Sequence, residues 1–237
     1  MRVTDRTSKT RPMSLVVGLA LAALVGRGAL SAQDSSPAAT PDIPLGTECT
    51  VEALGPGDLI GIVSSGSASD DLLTRSPVDE ATLPTGPAAS DAEVAGITAT
   101  TRQLVACANA RDPFRIIALL SPDFQAALAG AALGLQAEID QGTAAADAQA
   151  TLEERFPVPV NVEDIDGAQE LAMIPIREAR LLTDGRVGAI LEPTVEGVDA
   201  TVGFFVTFEL VGETWLIDDV EVLAAGPQGT PAASPPA

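Results

Sequence analysis

The chain has 237 residues, carries 13 Lys+Arg against 33 Asp+Glu for a net charge of −20, and contains no His and no Tyr. That length allows one sizeable domain or two small ones, and the acidity argues against nucleic acid, whose phosphates need a basic patch. Without imidazole there is no Ser-His-Asp or Cys-His pair and no histidine metal ligand, and with Lys9 as the sole lysine the body of the chain has no Schiff-base amine.

Residues 1–32 read as a secretory signal. Arg2, Arg6, Lys9 and Arg11 precede an apolar run from Leu15 to Gly26, and the small residues Ala29, Ser31 and Ala32 suit cleavage. The run is shorter than the roughly 20 apolar residues that span a bilayer. Arg27 beside the cleavage point leaves an uncleaved anchor as the alternative. No cysteine stands at the cut, against a lipoprotein, and no later segment is long and apolar enough to cross a membrane. The predicted location is secreted or cell-envelope associated, with no membrane span after signal cleavage.

Residues 33–46, 64–89 and 225–237 are rich in Pro, Gly, Ser, Ala and Thr. They are expected to be a disordered linker, a flexible linker and a disordered tail. Between the first two lies a short segment, 47–63, in which Asp58 is the expected N-cap of a helix carrying Leu59, Ile60, Ile62 and Val63. So small a piece cannot bury those side chains alone, and is expected to dock on the main domain.

Cys49 and Cys107 are the only cysteines. In an exported chain an even count favours a disulfide, the alternative being two buried free thiols. A bridge over so long a loop is worth roughly 4 kcal/mol of chain entropy.

The main domain is expected over 90–224. Ser90 followed by Glu93 forms a capping box, and Val94, Ile97, Thr101, Leu104, Val105 and Ala108 keep helical spacing on one face, with Cys107 at its margin. Asn109 to Asp112 stops this helix, Pro113 opens a short second one, and Ser121-Pro122 starts a third. Residues 131–168 suit two further short helices. Strand signals then take over, with hairpin turns at Thr183-Asp184-Gly185 and around Gly212. Phe204, Val206, Phe208 and Leu210 alternate onto one strand face. Helices followed by an antiparallel meander give an α+β fold.

A long helix ending "ACANARDP", the short helix "FRIIALLS", "PDF", and a meander closing on "GETWLIDDVEVL" together resemble the NTF2-like superfamily (nuclear transport factor 2, SnoaL and ketosteroid isomerase relatives) over roughly residues 90–223. The likeness is greatest to exported bacterial members of unassigned function that carry an upstream "CTVE" segment. It implies an NTF2-like cone, with N-terminal helices packed on a curved antiparallel sheet, a pocket at the open end, and a homodimer through the sheet. Enzymes of the family use an Asp base with Tyr or His partners. This chain has no Tyr and no His, so isomerase chemistry is not expected.

Leu104, Phe114, Ile117, Phe124, Phe204 and Trp215, with Phe205 and Phe208, are candidate pocket-lining residues for a small apolar ligand, or plain core. Strict alternation from Trp215 and Ile217 puts Asp219 and Glu221 on the same face. Asp219 is therefore the candidate pocket carboxylate unless a bulge intervenes, and a strand running out into solvent is the plainer account. Asp164, Asp166 and Glu170 invite calcium, but Val162 occupies the first ligand position of the loop pattern, so an acidic surface loop is expected. Arg177 and Arg180 either steady an anionic ligand or keep an edge strand soluble. No catalytic residue, cofactor or metal is assigned. The expected function is a non-catalytic small-molecule-binding or protein-interaction module, the alternative being a carboxylate-dependent SnoaL-like enzyme acting on a small apolar substrate.

Overall fold

The computed structural model of the protein describes residues 42–65, 75–132, 147, 150, 154, 171–193 and 203–224. The expected signal, the tail and the acidic loop at Asp164, Asp166 and Glu170 lie outside the described residues, as does most of 131–168.

Helix α2 (Asp91–Ala110) opens as its capping box dictates: Glu93 N–H donates to Ser90 Oγ at 3.3 Å and Ser90 N–H donates to Glu93 Oε2 at 2.6 Å. It stops at Arg111, whose φ of 59° puts it in the left-handed region while its N–H donates to the Ala108 carbonyl. Asp112 then caps α3 (Pro113–Ile117), accepting from the Arg115 N–H. Ser121 caps α4 (Pro122–Ala132), accepting from the Phe124 N–H at 3.2 Å. These two stops turn the chain back over itself twice within about a dozen residues.

Strands β1 (Ile176–Leu181), β2 (Val187–Leu191), β3 (Phe204–Val211) and β4 (Thr214–Val222) form an antiparallel meander in the order β1-β2-β3-β4. The β1–β2 turn uses Gly185 at φ 88°, as the Asp-Gly signal predicts. With the helices this is an α+β fold. The helices cover one face, here the inner face, where Val187, Ala189, Leu191, Val206, Phe208 and Ile217 join Ile97 and Val105 of α2 in a single core. None of the described helices is long and apolar enough to cross a membrane.

The upstream segment is part of this body. Helix α1 (Pro56–Ser65) packs against α4, and Leu59, Ile60 and Val63 are buried in the main core. Asp58 does not cap the helix: it lies in the first turn and accepts from the Gly55 N–H at 2.8 Å. The bridge between Cys49 and Cys107 is formed, with Cα atoms 4.8 Å apart and a sequence separation of 58. Cys107 is not at an open margin. It is 0% exposed, because the 42–51 stretch covers the side of α2 that carries Ala106 and Cys107. Polar clasps hold that stretch: Arg102 pairs with Glu48 and Asp42, each at 2.8 Å, and Asn109 Nδ2 donates to the Pro44 and Leu171 carbonyls. Residues 42–46, expected to be linker, are thus packed, with the Pro44 side chain fully buried.

Residues 75–89 also depart from the linker expectation. Val78 bridges Leu223 beyond β4, and Ala88 bridges Arg180 in β1, so this segment crosses from one edge of the sheet to the other. Composition alone underrates it, because Val78 and Leu83 find apolar partners only once the sheet exists.

Candidate functional site

The feature that places the acidic residues of β4 is a bulge. Thr207 is opposite Asp219, but the next residue of β3, Phe208, is opposite Ile217, so Asp218 has no cross-strand partner. The cause lies on the other side of β4. The Ile217 N–H donates to the Leu119 carbonyl at 2.9 Å, and its carbonyl accepts from the Ser121 N–H at 2.7 Å. The α3–α4 connection thereby takes both backbone groups of Ile217. The extra residue reverses the alternation, which corrects the sequence expectation. Asp219 and Glu221 lie on the outer face with Thr207 and Phe205, not with Trp215 and Ile217. There Asp219 accepts two bonds from Arg75 Nη1, at 2.6 and 2.7 Å.

The carboxylate directed at the helical side is Asp218. Its side chain is 16% exposed; Oδ1 accepts from Ser121 Oγ at 2.7 Å and Oδ2 from Arg186 Nη1 at 2.6 Å. Arg186 also holds Asp184 across the β1–β2 turn, Nη2 to Oδ2 at 2.7 Å. The hydrogen bonds that Arg186 donates to Asp184 and then to Asp218 raise its pKa, and the Arg186 guanidinium holds the Asp184 carboxyl below its ordinary value. The arrangement is a tie between the start of α4, the β4 bulge and the β1–β2 turn. Each Asp218 oxygen accepts one bond, so the carboxylate is anchored at both ends while each oxygen keeps a further acceptor site.

The six candidate pocket-lining residues belong to, or border, the main core. Phe114 and Ile117 are buried in the main core, and Leu104, Phe124, Phe204 and Trp215 pack against it while partly exposed. Phe208 joins them, whereas Phe205 lies on the outer face with Ile190 and Leu83. Arg177 and Arg180 do not stand ready for an anion: Arg177 pairs with Glu80, Glu178 and Glu192, and Arg180 with Glu178. Among the described residues no group of three or more Cys, Asp or Glu side chains is arranged to hold a metal ion.

Sequence reasoning missed Asp218, Ser121 and Arg186 as a unit. The available signal was the pair Asp218-Asp219 itself: two adjacent acids on a strand cannot share a face, and which one points inward depends on register. Comparison with protein-family models, with curated proteins and with solved structures finds no match for this chain.

Proposed function

We propose that the chain is an exported, non-catalytic binding module of NTF2-like architecture, taking a small apolar ligand or a protein surface. The observation that carries the non-catalytic reading is the engagement of Asp218. The carboxylate on the helical side is bonded at both oxygens to Ser121 and Arg186, which supports a structural role for it. The order of one long helix, two short ones and an antiparallel meander, with the helices on a single face, supports the cone architecture. The disulfide supports export, since such bonds persist in oxidising compartments.

Two measurements test this reading. The purified full chain is assayed for isomerisation of a 3-oxo-Δ5 steroid and titrated with an environment-sensitive naphthalene dye. We expect no turnover and saturable dye binding that quenches or shifts the emission of Trp215, the one tryptophan. Turnover that disappears in Asp218→Asn would establish the carboxylate-dependent enzyme instead. For export, N-terminal sequencing of protein recovered outside the cell is expected to start just after Ser31 or Ala32; a cytoplasmic chain with Met1 intact overturns it.

A further inference from the structure

Helix α1 is poorly made for standing alone. It has ten residues, fewer than the about 12–15 at which an isolated helix becomes even marginal, and Ile60, Ile62 and Val63 among them are β-branched. Gly57 and Gly61 lie inside it. Gly61 is exposed, its φ is outside the left-handed region, and a Cβ there would meet none of the described residues. Neither a turn nor a close approach to those residues requires this glycine, so its effect is to weaken the helix. Yet α1 delivers Leu59, Ile60 and Val63 to the main core. The bridge lies towards the other end of the same arm, residues 42–65. Cys107 clusters with Ala106 and Cys49 apart from the main core, so it is the arm that shuts its sulfur in.

We infer that the arm is an oxidative latch: with Cys49 and Cys107 as thiols it stands off the rest of the fold, and the bridge docks it. Holding Cys49 beside α2 raises the ratio of docked to open arm on the order of a hundred- to a thousandfold, the chain-entropy effect of the cross-link. The chemistry is a two-electron exchange with a small disulfide, here glutathione disulfide. The thiolate of one cysteine attacks a glutathione sulfur and expels one glutathione thiolate. The thiolate of the other then attacks the protein sulfur of the mixed disulfide and expels the second, and the two protons lost by the protein are taken up by the glutathione thiolates. An open arm leaves Cys107 accessible to this exchange. The docked arm closes over the product, so the latch sets in one direction. It ties completion of the core to an oxidising compartment. This goes beyond the binding reading above and does not rest on it.

The test uses the full chain. Cys49→Ser leaves Cys107 as a thiol, and iodoacetamide should alkylate it in plain buffer within about tenfold of its rate in denaturant. The Leu59 amide, which donates to the Gly55 carbonyl, should exchange on the order of a hundred- to a thousandfold faster than in the oxidised wild type, while the amides of β3 keep their protection. In the oxidised chain Gly61→Ala should slow Leu59 exchange by about three- to fivefold, because the helix gains propensity and loses no contact. Wild type reduced in denaturant and returned to buffer as the dithiol reports without any substitution. On addition of glutathione disulfide, its bridge should close at a rate proportional to the oxidant concentration. Cys107 alkylated about a hundredfold or more below its denatured rate would mean that the arm docks unaided, and so would a closure rate independent of oxidant. Loss of β3 protection together with that of Leu59 would mean that the bridge holds the whole fold and not the arm. Leu59 exchange unchanged by Gly61→Ala would mean that α1 is not held weak. Each of these results overturns the proposal.

Discussion

Gly96 of α2 and Trp215 of β4 share one volume: a Cβ added at Gly96 would lie 2.2 Å from the indole Cδ1 and 2.6 Å from Nε1. The long helix reaches the sheet by laying its backbone on an aromatic ring, and Thr100, one turn on, donates from Oγ1 to the Trp215 carbonyl at 2.6 Å. The helix gives up some propensity at Gly96 to make this approach.

Gly96→Ala should therefore destabilise the protein by about 1–3 kcal/mol, although Ala is the better helix former, because the added methyl overpacks the contact. Urea denaturation followed by Trp215 emission measures it, and the native emission should shift to the red. An unchanged midpoint would show that the indole swings away at no cost.

Asp218 and Asp219, adjacent in sequence, should behave oppositely. Asp218→Ala strips Arg186 and Ser121 of a shared acceptor in a mostly buried setting and should cost about 1–3 kcal/mol. Asp219→Ala removes a half-exposed pair with Arg75 and should cost no more than about 1 kcal/mol. Equal losses would contradict the bulge that separates them.

The bridge from Cys49 to Cys107 should be worth about 4 kcal/mol, the chain-entropy value for a separation of 58. The Cys49→Ala, Cys107→Ala double variant should show that loss in chemical denaturation. Because Cys107 is fully buried, the native protein should resist dithiothreitol until denaturant opens it. Rapid reduction in plain buffer would mean that the 42–51 stretch does not cover α2 in solution.

Stability should fall on the acid side. The Arg102 side chain, and then the Leu45 N–H, hold the Glu48 carboxyl below its ordinary value of 4.5, and Arg186 holds Asp184 below 3.8. A carboxyl depressed in the folded state adds stability that is full above its unfolded value and lost as pH falls through the folded one. The denaturation midpoint should be level above about pH 5 and decline below it. Glu48→Gln and Asp184→Asn should each make that decline shallower, and a decline of unaltered slope would remove these two groups from the account.

Much of the local architecture was legible in the sequence because its causes are local. Ser90 and Glu93, Asp112 and Pro113, and Ser121 and Pro122 start helices through bonds within one turn, and Gly185 permits a backbone angle that the tight turn requires. The alternation of Phe204, Val206 and Phe208 holds wherever the strand is unbroken, and the pairing of two cysteines follows from there being only two. What the tertiary structure decided has distant causes. Which of Asp218 and Asp219 points inward depends on a bulge, and the bulge arises beside Ile217, whose N–H and carbonyl are taken by Leu119 and Ser121, nearly a hundred positions away. Residues 75–89 look like linker because their few apolar side chains cannot offset the entropy of ordering alone, and they order only on a sheet that is built about a hundred residues later in the chain.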